Sequence, residues 1–213
     1  MKKYILFIIV GLFSLQAKSQ FLNSIAITAG GSIGNQKYFF KDPVAISNKK
    51  YIPGVNFGVF GEFFTRDYIR WVTEFQFNQK GSVDKQLETN YTNNLNYICW
   101  NNYLKFRYEM YNVIPYILVG PRLEYTFSES IGSPFVTDKF LPLHISGAVG
   151  GGVEFISYSN FKFFVEAFYN PDIMPAFLQS DLYIKNKNFE ARIGLKCELS
   201  KRKEHCNTPT YVE

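Results

Sequence analysis

The sequence predicts an all-β fold: an eight-stranded antiparallel up-and-down transmembrane β-barrel behind a cleaved N-terminal signal peptide. Three observations predict it. Long stretches alternate oily and polar residues with a period of two. The links between those stretches sort by length. After the amino terminus, no run is apolar for long enough to cross a bilayer as a helix, so a chain held in a membrane must satisfy its backbone between strands of a closed sheet.

The alternation is plainest in "YIRWVTEFQF", Tyr68 to Phe77. Ile69, Trp71, Thr73, Phe75 and Phe77 fall on one side, and Arg70, Val72, Glu74 and Gln76 on the other. Successive strand residues point to opposite faces, so this is a strand with one oily and one polar face. Aromatic residues, mostly Phe and Tyr, make up 18% of the 213 residues and favour strands over helices.

The first twenty residues, "MKKYILFIIVGLFSLQAKSQ", have the three parts of a secretory signal. Lys2 and Lys3 give the positive start, Tyr4 to Leu15 the apolar stretch and "QAKSQ" the small-residue cleavage region. The apolar run falls short of the roughly 20 residues a spanning helix needs. Cleavage is expected near Ser19–Gln20 or Gln20–Phe21, and no cysteine there marks a lipoprotein. Without Lys2, Lys3 and Lys18 the 23 basic residues become 20 against 18 acidic ones, about +2, too little for a nucleic-acid surface. The expected organisation is a signal peptide over 1–20, one outer-membrane barrel domain over 21–200 and a polar periplasmic tail over 201–213.

Eight strands follow the signal, at 25–34, 54–65, 68–79, 95–108, 115–126, 142–156, 161–170 and 188–199. They exceed the usual soluble strand of roughly 5–6 residues and suit the roughly 9–11 that a tilted membrane strand requires. Long links at 35–53, 80–94, 127–141 and 171–187 alternate with short ones at 66–67, 109–114 and 157–160. Outer-membrane barrels keep short turns at the periplasmic end and long loops outside. On the oily alternation of these strands, from Val55 to Leu199, no charge falls. The opposite set carries seven acids and seven bases: Glu62, Glu74, Glu124, Glu154, Glu166, Glu190 and Glu198 against Arg70, Lys105, Arg107, Arg122, Lys162, Arg192 and Lys196. An eight-stranded barrel has an interior only wide enough to be filled by side chains. Balanced charges fit there, with Gly30, Gly58, Gly120, Gly150 and Gly152 making room, and the oily set faces lipid. Asn102 is the exception, falling on the oily face of its strand, so "CWNNY" holds either a bulge or a shifted register.

With strands and faces laid out, the mature chain resembles the small outer-membrane barrels grouped as PorT-like, or "outer membrane protein beta-barrel domain", proteins. The resemblance rests on the signal, the pair "NYLKFRY" (Asn102–Tyr108) and "PYILVGPRLEY" (Pro115–Tyr125), and the glycine-rich strand "SGAVGGGVEF" (Ser146–Phe155). It covers about residues 21–199 and implies an outer-membrane location, lipid contact and, by analogy with relatives in protein secretion and surface assembly, an envelope or secretion partner at the outer loops. The chain departs from the common pattern of ending on an aromatic residue, because "KRKEHCNTPTYVE" follows the last strand. An insertion signal is then expected around Leu195 to Leu199.

For chemistry, His144 and Ser146 stand two apart on one face. The pair is similar to the catalytic pair of outer-membrane lipid A deacylases, with an acid such as Glu154 to orient the histidine. The competing reading, which is preferred, makes both interior polar groups, because the phase points them inward and an acyl-chain hydrolase needs them toward lipid. The charged interior is read as a plug rather than a conduit or proton path. The segments Lys37–Ile46 and Asp172–Leu178 place oily residues in outer links, where they either dock a partner or extend the strands and pack on one another. Cys99, Cys197 and Cys206 match neither a zinc site nor a disulfide scaffold; a Cys197–Cys206 bridge is conceivable, and free thiols are preferred. No phosphate loop, metal-ligand cluster or dinucleotide motif is legible, so no catalytic, metal or cofactor residue is assigned. The chain is read as a non-enzymatic barrel. The competing class is a secreted soluble barrel of lipocalin type with its oily face around a ligand, and an enzyme comes third.

Overall fold

Strand-forming alternation builds one antiparallel sheet in the computed structural model, which describes residues 22–40, 49–64, 68–86, 89–132, 136, 139–156, 160–179 and 182–199. The signal segment, the tail 201–213 with Cys206, and the Lys41–Ile46 part of the first outer link lie outside the described residues. The strands are β1 (Leu22–Phe40), β2 (Lys49–Phe63), β3 (Ile69–Gln86), β4 (Thr89–Arg107), β5 (Val113–Ser130), β6 (Leu143–Phe155), β7 (Phe161–Pro171), β8 (Phe177–Leu178) and β9 (Leu182–Glu198). Neighbours pair in chain order from β1 to β7, and β9 then pairs with β7. On its other edge β9 pairs with β1, from Ser24↔Glu198 to Phe40↔Leu182, so eight long strands close into a ring. The two-residue β8 is a short addition to β9 at Leu178↔Tyr183. The eight expected strands are the eight long ones.

The facing also agrees with the sequence. Phe75 is 63% exposed while its neighbour Glu74 is fully buried. Of the fourteen charged residues assigned to the interior, all are buried except Glu198, which is half-buried. Val59, Ile69, Leu104, Ile117, Val149 and Ile193, from six different strands, stand outward and exposed. That is a hydrocarbon-facing belt around a polar inside, since an Arg or Lys facing lipid at the midplane costs about 2–4 kcal/mol.

Inside, the charges pair across strands far apart in sequence. Glu62 accepts from Arg70 and Lys105 at 2.6 Å each, and Lys105 also bonds Glu154, which Lys196 shares. Arg192 donates to Glu74 at 2.8 Å and to Glu166 at 2.7 Å. The base beside Glu74 is therefore Arg192 on β9. Glu190 collects Arg122, Gln76, Asn78, Asn170 and Asn188. The interior also holds an apolar cluster that the charge pattern does not announce, including Phe60, Val72, Tyr103, Tyr116, Phe164 and Phe168. Two glycines make room for it. A Cβ on Gly194 would lie 2.1 Å from Phe164 Cζ, and one on Gly150 would lie 2.4 Å from Phe168 Cδ1.

Asn102 involves neither a bulge at that point nor a slipped register. Pairing of β3 with β4 runs unbroken through Thr73↔Asn102. The Asn102 side chain stays on the outer face and accepts from Thr73 Oγ1 at 3.2 Å, while Trp100 Nε1 donates to that hydroxyl at 2.9 Å. The polar atoms satisfy one another in lipid, which is what burial without water requires.

The long outer links need correction, because much of their length is strand. Pairing of β3 with β4 continues from Lys80↔Leu95 to Gln86↔Thr89, through the segment expected as the loop 80–94. β1 likewise runs to Phe40, β5 to Ser130, and β9 begins at Leu182. Beyond the lipid belt the outer face no longer meets hydrocarbon, and apolar residues such as Leu95, Leu182 and Ile184 turn inward instead, so the oily-out alternation stops while the hydrogen-bonded ladder goes on. The sorting of the two ends survives as hairpins projecting from one end only.

Candidate functional site

Antiparallel register assembles the polar cluster nearest the outer end. Glu124 on β5 faces His144 on β6, and Arg122 faces Ser146. The chain leaves β7 and returns across the mouth, bridging Ser146 with Asp172. Backbone bonds from Ile173 and Met174 to the Ile145 carbonyl, and from Ala176 to the Ile184 carbonyl, tie this returning segment down. Ala176 and Phe177 enter a second apolar cluster with Leu95, Tyr97, Phe140 and Ile184 that closes the outer end. The segment Asp172–Leu178 thus packs inward through Asp172, Ala176 and Phe177 while Ile173, Met174 and Leu178 stay exposed.

Glu124 Oε1 accepts from Ser146 Oγ at 2.5 Å and from Lys80 Nζ at 2.7 Å, and Lys80 reaches Oε2 at 2.5 Å. Asp172 Oδ2 accepts from the Asn186 backbone N–H at 2.7 Å and its side-chain amide at 2.9 Å. His144 Nε2 stands between the carboxylates, 3.4 Å from Glu124 Oε2 and 3.6 Å from Asp172 Oδ1. Among the described residues, neither ring nitrogen of His144 has a hydrogen-bond partner, and nor has Asp172 Oδ1. Tyr97 packs edge-on against the imidazole at 5.4 Å. His144 is 1% exposed and Ser146 fully buried.

This geometry changes the roles expected from spacing. The Ser146 hydroxyl donates to Glu124 and not to His144, so the nucleophile–base bond of a hydrolase is not formed. Glu154 lies at the opposite end of β6, engaged with Lys105 and Lys196, so it does not orient His144. Glu124 and Asp172 are the acids beside the histidine. Sequence reading named neither as the companion of His144: the three residues come from β5, β6 and the segment after β7, with no short spacing to reveal them. Cys99 is a buried free thiol and Cys197 a half-buried one.

No family model matches the chain, and neither does any curated protein. Solved structures do. The outer membrane protein OprG from Pseudomonas aeruginosa superposes with a TM-score of 0.56 at 10% identity, over 84% of this chain and 97% of that one. The chain has the fold of a small outer-membrane β-barrel. Neisserial surface protein A (NspA) matches with a TM-score of 0.49 at 13% identity over 82% of this chain and 96% of its own. The outer membrane enzyme PagL does so with 0.39 at 9% over 78% and 97%. At 10% identity the likeness to OprG is one of fold alone. A lipocalin-type barrel is not favoured, because the oily face is outward and the inside is filled with ion pairs and aromatic rings.

Proposed function

We propose that the chain is an integral outer-membrane barrel of the PorT-like kind, a sealed non-enzymatic scaffold whose outer end docks an envelope or secretion-system protein. The lipid-facing belt and the likeness to OprG support the location. The paired and packed interior supports the absence of a pore. One observation carries the docking role. Leu178, Tyr183 and Phe39 form a row directly across β8, β9 and β1, in register, with Phe39 and Tyr183 stacked at 4.6 Å. They are 64%, 38% and 36% exposed. Tyr183 is six residues outward of Phe189, where the oily set of β9 ends, about 20 Å along the strand. An apolar row this far beyond the belt faces water unless a protein covers it.

A photo-crosslinking residue in place of Tyr183 should trap one discrete adduct in intact cells. Leu178→Asp with Phe39→Asp should abolish it while leaving the heat-modifiable gel shift of the barrel intact. Absence of any adduct, or an adduct indifferent to those charges, sinks the docking role. Turnover of a lipid acyl chain that depends on His144 would overturn the non-enzymatic reading.

A further inference from the structure

The unsatisfied atoms around His144 are arranged in a way that hydrogen bonding alone does not explain. Both carboxylates are held from outside, Glu124 by Ser146 on Oε1 and by Lys80 on both oxygens, and Asp172 by Asn186 on Oδ2, which leaves Asp172 Oδ1 free. His144 Nε2 faces Asp172 Oδ1 and the Glu124 Oε2 that Lys80 also holds, and one ligand atom from each of the three residues lies within 4.8 Å of the others. An imidazolium between two carboxylates draws them to about 2.7–2.9 Å. Here they stand off at 3.4 and 3.6 Å, without a hydrogen bond. Four ligands about 2.0–2.2 Å from a tetrahedral zinc lie roughly 3.3–3.6 Å from one another. The two separations from His144 Nε2 fit ligands around an ion better than partners in a bond.

We propose that Glu124, His144 and Asp172 form a binding site for one divalent transition-metal cation, with zinc the best match, that fastens the segment after β7 to the barrel wall. One imidazole and two carboxylates are ligands zinc accepts, with a water in the fourth position. The outer bonds of Ser146 and Asn186 are the supports that fix ligating carboxylates in such sites. Lys80 neutralises one of the two buried carboxylates, which leaves one negative charge for the occupant of the site to meet. A zinc ion overshoots by one, and a zinc-bound water that ionises near neutral pH restores the balance. Because the site forms only when three separate segments meet, the ion is taken up as the barrel folds. It would join β5 and β6 to Asp172, the first residue of the segment that covers the mouth.

The test uses the full untagged chain carrying His205→Ala and Cys206→Ala, so that the tail offers no competing ligands. It is refolded in detergent with zinc and dialysed against metal-free buffer, and retained metal is measured by mass spectrometry. One zinc per barrel is expected, resistant to excess magnesium. His144→Ala and Asp172→Asn should each weaken binding at least tenfold in competition with a chromophoric chelator, and Cys197→Ser should not. Asp172→Asn keeps an oxygen for Asn186, so it carries the test if His144→Ala does not fold. Failure of the parent to retain zinc overturns the proposal, as does equal retention after loss of His144. An imidazolium at His144 in NMR spectra of a zinc-free, fully folded barrel, unchanged by added zinc, would mean that the occupant is a proton.

Discussion

Positions 74 and 75 are adjacent in sequence and opposite in surroundings, so one pair of substitutions tests the facing of the whole barrel. Phe75 is 63% exposed and stacks on Trp100 at 6.2 Å. Arg at this position puts a charge into hydrocarbon and should cost about 2–4 kcal/mol near the midplane. Leu loses only the ring contact, about 0.5–1.5 kcal/mol. Glu74 is fully buried and accepts from Arg192 at 2.8 Å and Asn101 at 2.9 Å. Removing one partner of a buried ion pair costs about 3–5 kcal/mol. Arg192 keeps Glu166 at 2.7 Å, so Glu74→Leu belongs near the lower figure. Glu74→Gln retains an acceptor and should cost about 1–2 kcal/mol. Urea titrations of folding into phospholipid vesicles measure all four variants. If Phe75→Arg folds as well as Phe75→Leu while Glu74→Leu is harmless, the barrel has been read inside out.

Other expectations follow from the same interior and belt. Reconstituted protein should show no stepwise conductance in planar bilayers, since paired charges and aromatic rings fill the barrel. Gly194→Ala should lose about 1–3 kcal/mol from overpacking against Phe164, and Phe164→Leu in the same chain should recover part of it in a double-mutant cycle. Asn102→Leu should change vesicle-folding stability by less than about 1 kcal/mol, whereas Thr73→Val should cost about 1–3 kcal/mol by orphaning the Trp100 indole N–H. An aqueous maleimide should leave Cys99 unlabelled until the barrel is unfolded.

Legibility followed the solvent. Wherever lipid lies on one side and the packed interior on the other, a period of two exposes the contrast, and Phe75, Trp100 or Ile193 could be placed outward from the string of residues alone. Where the strands pass beyond the belt the contrast vanishes, so Lys80–Gln86 and Thr89–Asn94 read as a loop although they are a ladder. The polar cluster was half legible. His144 and Ser146 share a face because they are two apart. Their true companions, Glu124 and Asp172, depend on which residue of one strand lies opposite which residue of the next, and local spacing carries none of that. Glu154 was a plausible acid by sequence distance and the wrong one by register. The inner aromatics were overlooked because the charges beside them dominated the pattern.

The pairing of interior charges across the seam bears on how the molecule can be made. Glu190 and Arg192 lie on the last strand, while Gln76, Asn78 and Glu74, which bond them, lie on the third. Until the last strand reaches the first, these contacts are missing, and Glu74 lacks its only basic partner among the described residues while Arg192 keeps Glu166 on the neighbouring strand. A half-rolled sheet already in the bilayer would turn incompletely paired charges such as Glu74 toward acyl chains, at several kcal/mol apiece. Strand-by-strand insertion therefore carries this cost until the final step. The favourable route keeps the nascent sheet in water or against a helper surface until the edges meet. Assembly then behaves as a single late event whose rate is set by joining the two ends of the chain.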